Sequence, residues 1–398
     1  MNFTCEKNIL NQAVIPALSA ISNKNIFQGL DGLLLTANKD EGILLISGYD
    51  LEKGVKVTLS GDNVKINESG KIIVSGDKFS SIVKNMPEGD ISVSVEPNFV
   101  MNIKNKKSDF TLHGLDGETF PAMPELKGDK SFKLPRKTLK SFIMSTSFAV
   151  ANNNSRPALN GALFEIKNNQ LNVIGCDGFK MAIRRSFDGV AASEELDFKF
   201  IVPGKSLTEL MKLIGDGEEP ATIELTKKHF IVSFDNIIFF SRLIESEYLD
   251  YARAISLNPK TTAVITTKSF LSSLERAGVL TDDKQKSMIK LDFKKEEVNI
   301  ENKDEAGILQ VTSETSLGKV YDECNIDIYG DDMEIGFNKY YLSDALKAVK
   351  EEKVLLNLES STKSLIISPY DDETKNINMD IHGSKFLYMV LPIRLKNA

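Results

Sequence analysis

The chain has 398 residues, 41% of them hydrophobic and 26% charged, enough for two or three independent cores. Its 49 basic and 56 acidic residues leave a net charge of −7, which on composition argues against a generic nucleic-acid binder. Three scattered cysteines, no apolar run near the ~18 residues of a membrane helix and no signal-peptide pattern after Met1 make a reducing cytoplasm the default and exclude a disulfide framework.

The first predicted element is a short strand leading into an amphipathic helix, Phe3 to Ser22, with Ile9, Leu10, Ala13, Val14, Ala17, Leu18 and Ile21 at helical spacing. The same pair returns at Phe132 to Ala151 and at Ala263 to Leu280. Next comes Leu30-Asp31-Gly32-Leu33-Leu34-Leu35, matched 129 residues later by Leu159-Asn160-Gly161-Ala162-Leu163-Phe164. Gly48-Tyr49-Asp50 likewise matches Gly175-Cys176-Asp177. A second strand-helix pair starts at Ile72, at Phe200 and at Met333, with Phe79, Leu207 and Leu342 in register. The order and near-constant steps predict three α+β units of roughly 130 residues, with chance similarity of β-rich segments as the alternative. Boundaries fall in the turn-rich stretches before Lys130 and around Leu257-Asn258-Pro259-Lys260, giving domains 1–127, 128–258 and 259–398. Between the helices the chain reads as alternating strands joined by polar turns such as Lys167-Asn168-Asn169-Gln170 and Asn302-Lys303-Asp304-Glu305.

No catalytic signature emerges. Gly70-Lys71 lacks the rest of a phosphate-binding loop, and there is no zinc-protease helix or nucleophile elbow. His113, His229 and His382 are too scattered for a metal site, so neither metal nor cofactor is expected. Asp282-Asp283, Asp331-Asp332 and Asp371-Asp372 read as solvated turns, and Cys176 as a buried strand-end thiol rather than a nucleophile. The competing classes are a β-rich hydrolase with facing carboxylates and a non-catalytic surface-binding repeat protein.

The C-terminal Tyr388-Met389-Val390-Leu391-Pro392-Ile393-Arg394-Leu395 resembles the ending of the bacterial DNA polymerase III beta subunit family, the sliding clamps. Further matches are Arg156-Pro157-Ala158-Leu159-Asn160-Gly161, Cys176-Asp177-Gly178-Phe179-Lys180-Met181-Ala182, Met333 to Asn338 and Glu118-Thr119-Phe120-Pro121, in the family's order across the whole chain. The resemblance implies three repeated DNA-clamp domains, each with two helices packed on antiparallel sheets, closed into a ring as a head-to-tail dimer. It implies a non-catalytic processivity factor that encircles duplex DNA without sequence readout, and that tethers the replicative polymerase alpha subunit, the clamp loader and other clamp-motif proteins. No membrane is involved.

By the same resemblance, a cleft for Leu/Phe-rich peptides would use Leu159, Gly178, Phe179, Lys180, Met181, Leu249, Ala254, Met389, Leu391 and Arg394, with Arg156 at its rim; plain core packing is the competing role for Leu159, Met181 and Leu391. The dimer contact would set Lys78, Lys107 and Phe110 against Val279 and Leu280. DNA would meet loops around Lys24 and at Asn152 and Asn153, together with the lining helices. Phe179 and Leu249 depart from the family's histidine and proline, and Asn25 to Gln28 and Asp77 depart among the DNA contacts. If the helices span 6–22, 77–85, 136–151, 204–214, 268–278 and 339–353, they carry 14 basic and seven acidic residues. That is +7 on the helices and −14 elsewhere, the segregation a basic hole in an acidic ring requires. The cations expected to serve it are Lys78, Arg136, Lys137, Lys140, Lys205, Lys212, Lys268, Lys339 and Lys347.

Overall fold

The structure, a computed structural model, describes residues 1–22, 29–192, 195–255, 258–281, 288–296, 306–377 and 383–395. Among these, six α-helices form: α1 (Lys7–Leu18), α2 (Gly76–Asn85), α3 (Arg136–Ser147), α4 (Gly204–Leu213), α5 (Thr267–Ala277) and α6 (Lys339–Lys347). Each directly follows a strand. Side-chain caps start two of them: Glu6 accepts from the Asn8 N–H at 3.2 Å, and Asn338 from the Tyr340 N–H at 2.9 Å.

Three helices end sooner than their apolar periodicity predicts, at Leu18, Ser147 and Lys347. After α1, the Ser19 hydroxyl and backbone N–H both turn onto the Pro16 carbonyl. In α3 the hydroxyls of Ser145 and Thr146 bond back to the carbonyls of Ser141 and Phe142, and tight three-residue turns follow. After α6 the chain leaves through similar turns at Ala348 and Val349. The shorter helices drop Glu6, Lys350, Glu351, Glu352 and Lys353, so they carry 12 basic and four acidic residues, a net +8.

Three antiparallel sheets hold the helices. A five-stranded sheet runs from Val64–Glu68 through Asn2–Glu6, Asp90–Val95 and Val100–Asn105 to the edge strand Ser108–His113. A nine-stranded sheet joins the first repeat to the second where Lys53–Leu59 pairs Ile237–Arg242. A twelve-stranded sheet joins the second to the third where Lys180–Arg185 pairs Phe386–Val390. By contact density the chain forms two compact units, Met1–Thr138 with Ala191–Ser193 and Thr208–Leu243, and Leu139–Val190 with Glu194–Leu207 and Ile244–Ala398. The first two sheets lie in the first unit and the third in the second, so the middle repeat is divided between them.

The strand registers superpose the three repeats residue by residue. Gly48 lies opposite Val55, Gly175 opposite Ala182 and Ser313 opposite Val320. All three meet the same helix position. A Cβ at Gly48 would overlap the Ala17 carbonyl of α1, and one at Gly175 would overlap the Thr146 carbonyl of α3. In the third repeat Ser313 donates its hydroxyl to the Ala277 carbonyl of α5 at 2.6 Å. Both junctions then repeat one ladder: Val55 pairs Phe239 and Gly54 pairs Phe240, as Ala182 pairs Tyr388 and Met181 pairs Met389. The turn predicted at Lys167 to Gln170 is a two-residue hairpin, with Asn168 and Asn169 at φ +49° and +60°. The turn expected at 302–305 lies outside the described residues.

Candidate functional site

Strand alternation at the second junction builds an apolar cluster. Met181 and Ile183 share one face of Lys180–Arg185, and Leu387 and Met389 stand opposite them. Ile174 and Cys176 line the neighbouring strand. Pro157 opens a short 3₁₀ turn that drives Ala158 and Leu159 into the same cluster. The segment after Arg242 contributes Tyr248 and Ile255, with Ile244, Leu249 and Tyr251 packed half-buried against them. Burial pushes the Cys176 thiol and the Tyr248 hydroxyl up, so both stay neutral, and Tyr248 donates to the Ile174 carbonyl at 3.3 Å. The thiol is therefore apolar lining rather than a nucleophile.

The turn Asp177 to Lys180 forms the rim. One Asp177 carboxylate oxygen accepts the N–H groups of Phe179 and Lys180, both at 2.8 Å, and Gly178 takes φ +94°. Phe179 is thrown outward, 57% exposed, and stacks on Tyr341 of α6 with ring centroids 5.8 Å apart. Its carbonyl accepts the Leu391 N–H at 2.8 Å. Lys180 points the other way. It is buried, with Nζ 2.6 Å from Asp344 and within 5.6 Å of the Phe148 and Tyr341 ring centres. A buried ammonium needs such a partner, so Lys180 is a pillar under the rim.

Of the residues expected at a cleft, the structure thus joins Leu159, Met181, Leu249 and Met389 in one cluster, and places Phe179 against Tyr341, with Gly178 in the same turn and the Leu391 N–H on the Phe179 carbonyl. Arg156 and Ala254 are exposed. Arg394 is the exception, because it lines a separate cavity of about 920 Å³. Ile174, Cys176, Ile183, Tyr248, Tyr251, Ile366 and Leu387 are among the further members of the cluster that were not expected there. The signal for four of them was the two-residue strand period around Met181, Met389 and Cys176 itself.

The first junction carries the same frame with different side chains. Leu34, Tyr49, Ile73, Ile231 and Phe240 hold the ladder positions of Leu163, Cys176, Ile201, Ile366 and Met389. Phe240 is fully buried, leans on Tyr49 at 5.6 Å, and occupies the space a Cβ at Gly54 would need. Phe120 caps this cluster, with Met123, Leu126 and Leu51 packed against it. Leu51 takes φ +75° at the position of Gly178.

Several helix cations are already engaged. Arg136 reaches Glu219 at 2.5 Å and Asp235 at 2.7 Å, Lys137 reaches Glu218 at 2.9 Å, and Lys212 reaches Glu209 at 3.0 Å. Arg276 pairs with Asp322. Lys347 lies 3.9 Å from Glu275, and Lys339 donates to the Gly278 carbonyl. Lys140 is half-buried. Lys78, Lys84, Lys205 and Lys268 are exposed and make no ion pair among the described residues. Asn152 and Asn153 are exposed in the loop after α3, and Lys24 lies outside the described residues. Of the expected dimer residues, Lys78, Lys107 and Phe110 are exposed in the first unit, while Val279 is 76% exposed and Leu280 half-buried in the second. Asp371 caps its own turn and Asp372 pairs with Lys353, as solvated turns do. Asp282 and Asp283 lie outside the described residues. Among the described residues no His/Cys/Asp/Glu group could hold a metal ion, and no helix is long and apolar enough to cross a membrane.

Family models described as the N-terminal, central and C-terminal domains of the DNA polymerase III beta subunit match residues 1–124, 133–250 and 252–382. The beta sliding clamp of Halalkalibacterium halodurans is 32% identical over 381 residues, 94% of this chain and 97% of that protein. The beta sliding clamp of Bacillus subtilis is 28% identical over 401 residues, 99% of this chain and all of that protein. The crystal structure of the Bacillus subtilis DNA polymerase sliding clamp superposes with a TM-score of 0.90, 27% identity and full coverage of both chains. A DNA polymerase III beta subunit from Eubacterium rectale superposes at 0.87, with 28% identity and 99% coverage of each.

Proposed function

The chain belongs to the DNA polymerase III beta subunit family, the beta sliding clamps, and we propose that two copies close head to tail around duplex DNA. It is a non-catalytic processivity factor, and its three clamp domains combine helices with antiparallel sheets. The observation that carries the ring is a pair of strand edges left unpaired among the described residues. Ser108–His113 ends the five-stranded sheet, and its Phe110 holds the repeat position of Phe239 and Tyr388. Gly318–Gly330 pairs Thr261–Thr266 only from Asp327 onward, which leaves the side around Val320 open. Val320 holds the position of Val55 and Ala182.

Repeating the ladder of the other two junctions sets Phe110 of one copy opposite Val320 of the other. Lys107 then faces Glu323, and Asp109 lies diagonal to Lys319, pairs of opposite charge. Val279 holds the position of Phe148, which meets Tyr388 edge-on at 5.2 Å, so Val279 would meet Phe110. An interface that joins unlike surfaces and closes after two copies makes a ring. The domains of this ring would be 1–127, 128–258 and 259–398 of each copy, six in all.

The helices, at net +8 in a chain of −7, are the surface for phosphates, and Lys78, Lys84, Lys205 and Lys268 are the cations with least internal competition. Diffuse attraction without base contacts suits sliding. The cluster around Leu159, Met181, Leu249 and Met389 would take apolar anchors of a linear peptide from polymerase or clamp loader, with Phe179, Leu391 and Arg156 at its rim. Its methionines suit many partners. Retention on circular DNA tests the ring: loaded protein should remain on circles and leave within the assay once the circle is cut, and indifference to free ends would refute encirclement. Phe110→Asp should convert the dimer to a single chain in native mass spectra; an unchanged dimer would refute the register.

A further inference from the structure

The third repeat carries its own copy of the cleft frame, with the chemistry reversed. Leu163 pairs Ile174 as Lys290 pairs Thr312, and Cys176 pairs Met181 as Glu314 pairs Lys319. Tyr321 takes the place of Ile183. These third-repeat residues line the cavity of about 920 Å³, together with Arg394. The backbone beside Arg394 is fixed, since the Ile393 N–H donates to the Gly336 carbonyl at 2.8 Å.

We propose that this cavity is a second partner site, which binds a linear peptide carrying a carboxylate beside an apolar anchor. The charge left over at the site argues for the carboxylate. Lys290 already holds Glu334 at 2.8 Å and Lys319 holds Glu314 at 2.9 Å. Arg394 is exposed and makes no ion pair among the described residues. A guanidinium fork matches a carboxylate in two parallel hydrogen bonds. The apolar anchor follows from Tyr321, 59% exposed, and Met288, 36% exposed, both at the cavity. The ladder positions that are apolar at the second junction are here Lys290, Thr312, Glu314 and Lys319, so the two sites would sort partners by charge. In the two-copy reading, Thr111 and Asp109 of the second copy take the positions of Met389 and Leu387 and supply a further wall, with the Asp109 carboxylate already held by Lys104 at 3.0 Å. That wall alone rests on the proposed ring.

The test uses the full chain and a fluorescent hexapeptide of alternating glutamate and leucine, read by anisotropy. Arg394→Glu should weaken binding about tenfold or more, and Tyr321→Ala several-fold. A glutamine-leucine peptide should bind several-fold more weakly than the acidic one. Unchanged affinity in Arg394→Glu would overturn the site. So would loss of binding in Met389→Arg, which would put the probe in the second-junction cleft, or displacement by oligothymidylate at equal concentration, which would make the ligand a nucleic acid. Native mass of the same samples separates the two readings: a single chain would remove the ring and its wall, while dependence on Arg394 would still support the peptide site.

Discussion

The first and second junctions share one backbone ladder, yet they fill it with different side chains and border it with different turns. At the first, Gly54 makes room for Phe240, whose ring fills the interior against Tyr49. At the second, Met181 and Met389 stand at those positions, with Cys176 in place of Tyr49. Leu51 bends into a left-handed conformation and packs on the first cluster, where Gly178 leaves its counterpart bare. A repeated fold therefore does not repeat the side chains at its junctions. Four positions carry the difference: Gly54, Tyr49, Leu51 and Phe240 at the first junction stand where Met181, Cys176, Gly178 and Met389 stand at the second.

The largest effect should come from removing the plug. Phe240→Ala should cost about 3–5 kcal/mol, read by chemical denaturation, because the ring is wholly buried. A cost below about 1 kcal/mol would mean that the ring does not seal the first junction. At the second junction, Met389→Arg should lower affinity for a clamp-motif peptide about 100-fold in calorimetry, by putting a charge in an apolar pocket, with the dimer intact. Equal binding would end the contrast between the two sites. Gly178→Ala should cost about 1 kcal/mol, since an added Cβ meets nothing within 4 Å and only the φ of +94° opposes it. A neutral result would show that the turn relaxes.

The smallest effect serves as a control outside both pockets. The Arg136 hydrogen bond holds the Glu219 carboxyl below the usual range. Its contribution is present above the unfolded-state pKa of about 4.3 and is lost as pH falls through the depressed folded value. Acidification through that window should lower the melting temperature slightly more in the native chain than in Glu219→Gln, and parallel curves would show that the exposed pair contributes nothing.

Much of this was legible from residue order. The strand-helix starts were, because a strand period gives way to a helical one at Glu6, Ser75, Pro135 and Asn338. Helix ends were not, because Ser19, Ser145 and Thr146 turn their hydroxyls onto the backbone, and apolar spacing does not register that competition. Resemblance alone pointed Leu159, Met181 and Met389 toward a cleft; the structure gathers all three, buried, in one cluster. Lys180 was not legible as a pillar, since Asp344 lies 164 residues away. Nor was Arg394 at a separate cavity, which depends on where the last strand delivers the chain.

Residue order by itself determined three repeats, the helix starts and the concentration of positive charge on six helices, because periodicity and composition are local properties. Tertiary structure decided what each repeat became. Which edge is left open, which cation a distant carboxylate holds and which pocket is filled depend on side chains far apart in the chain, and those meetings exist only once the sheets have formed.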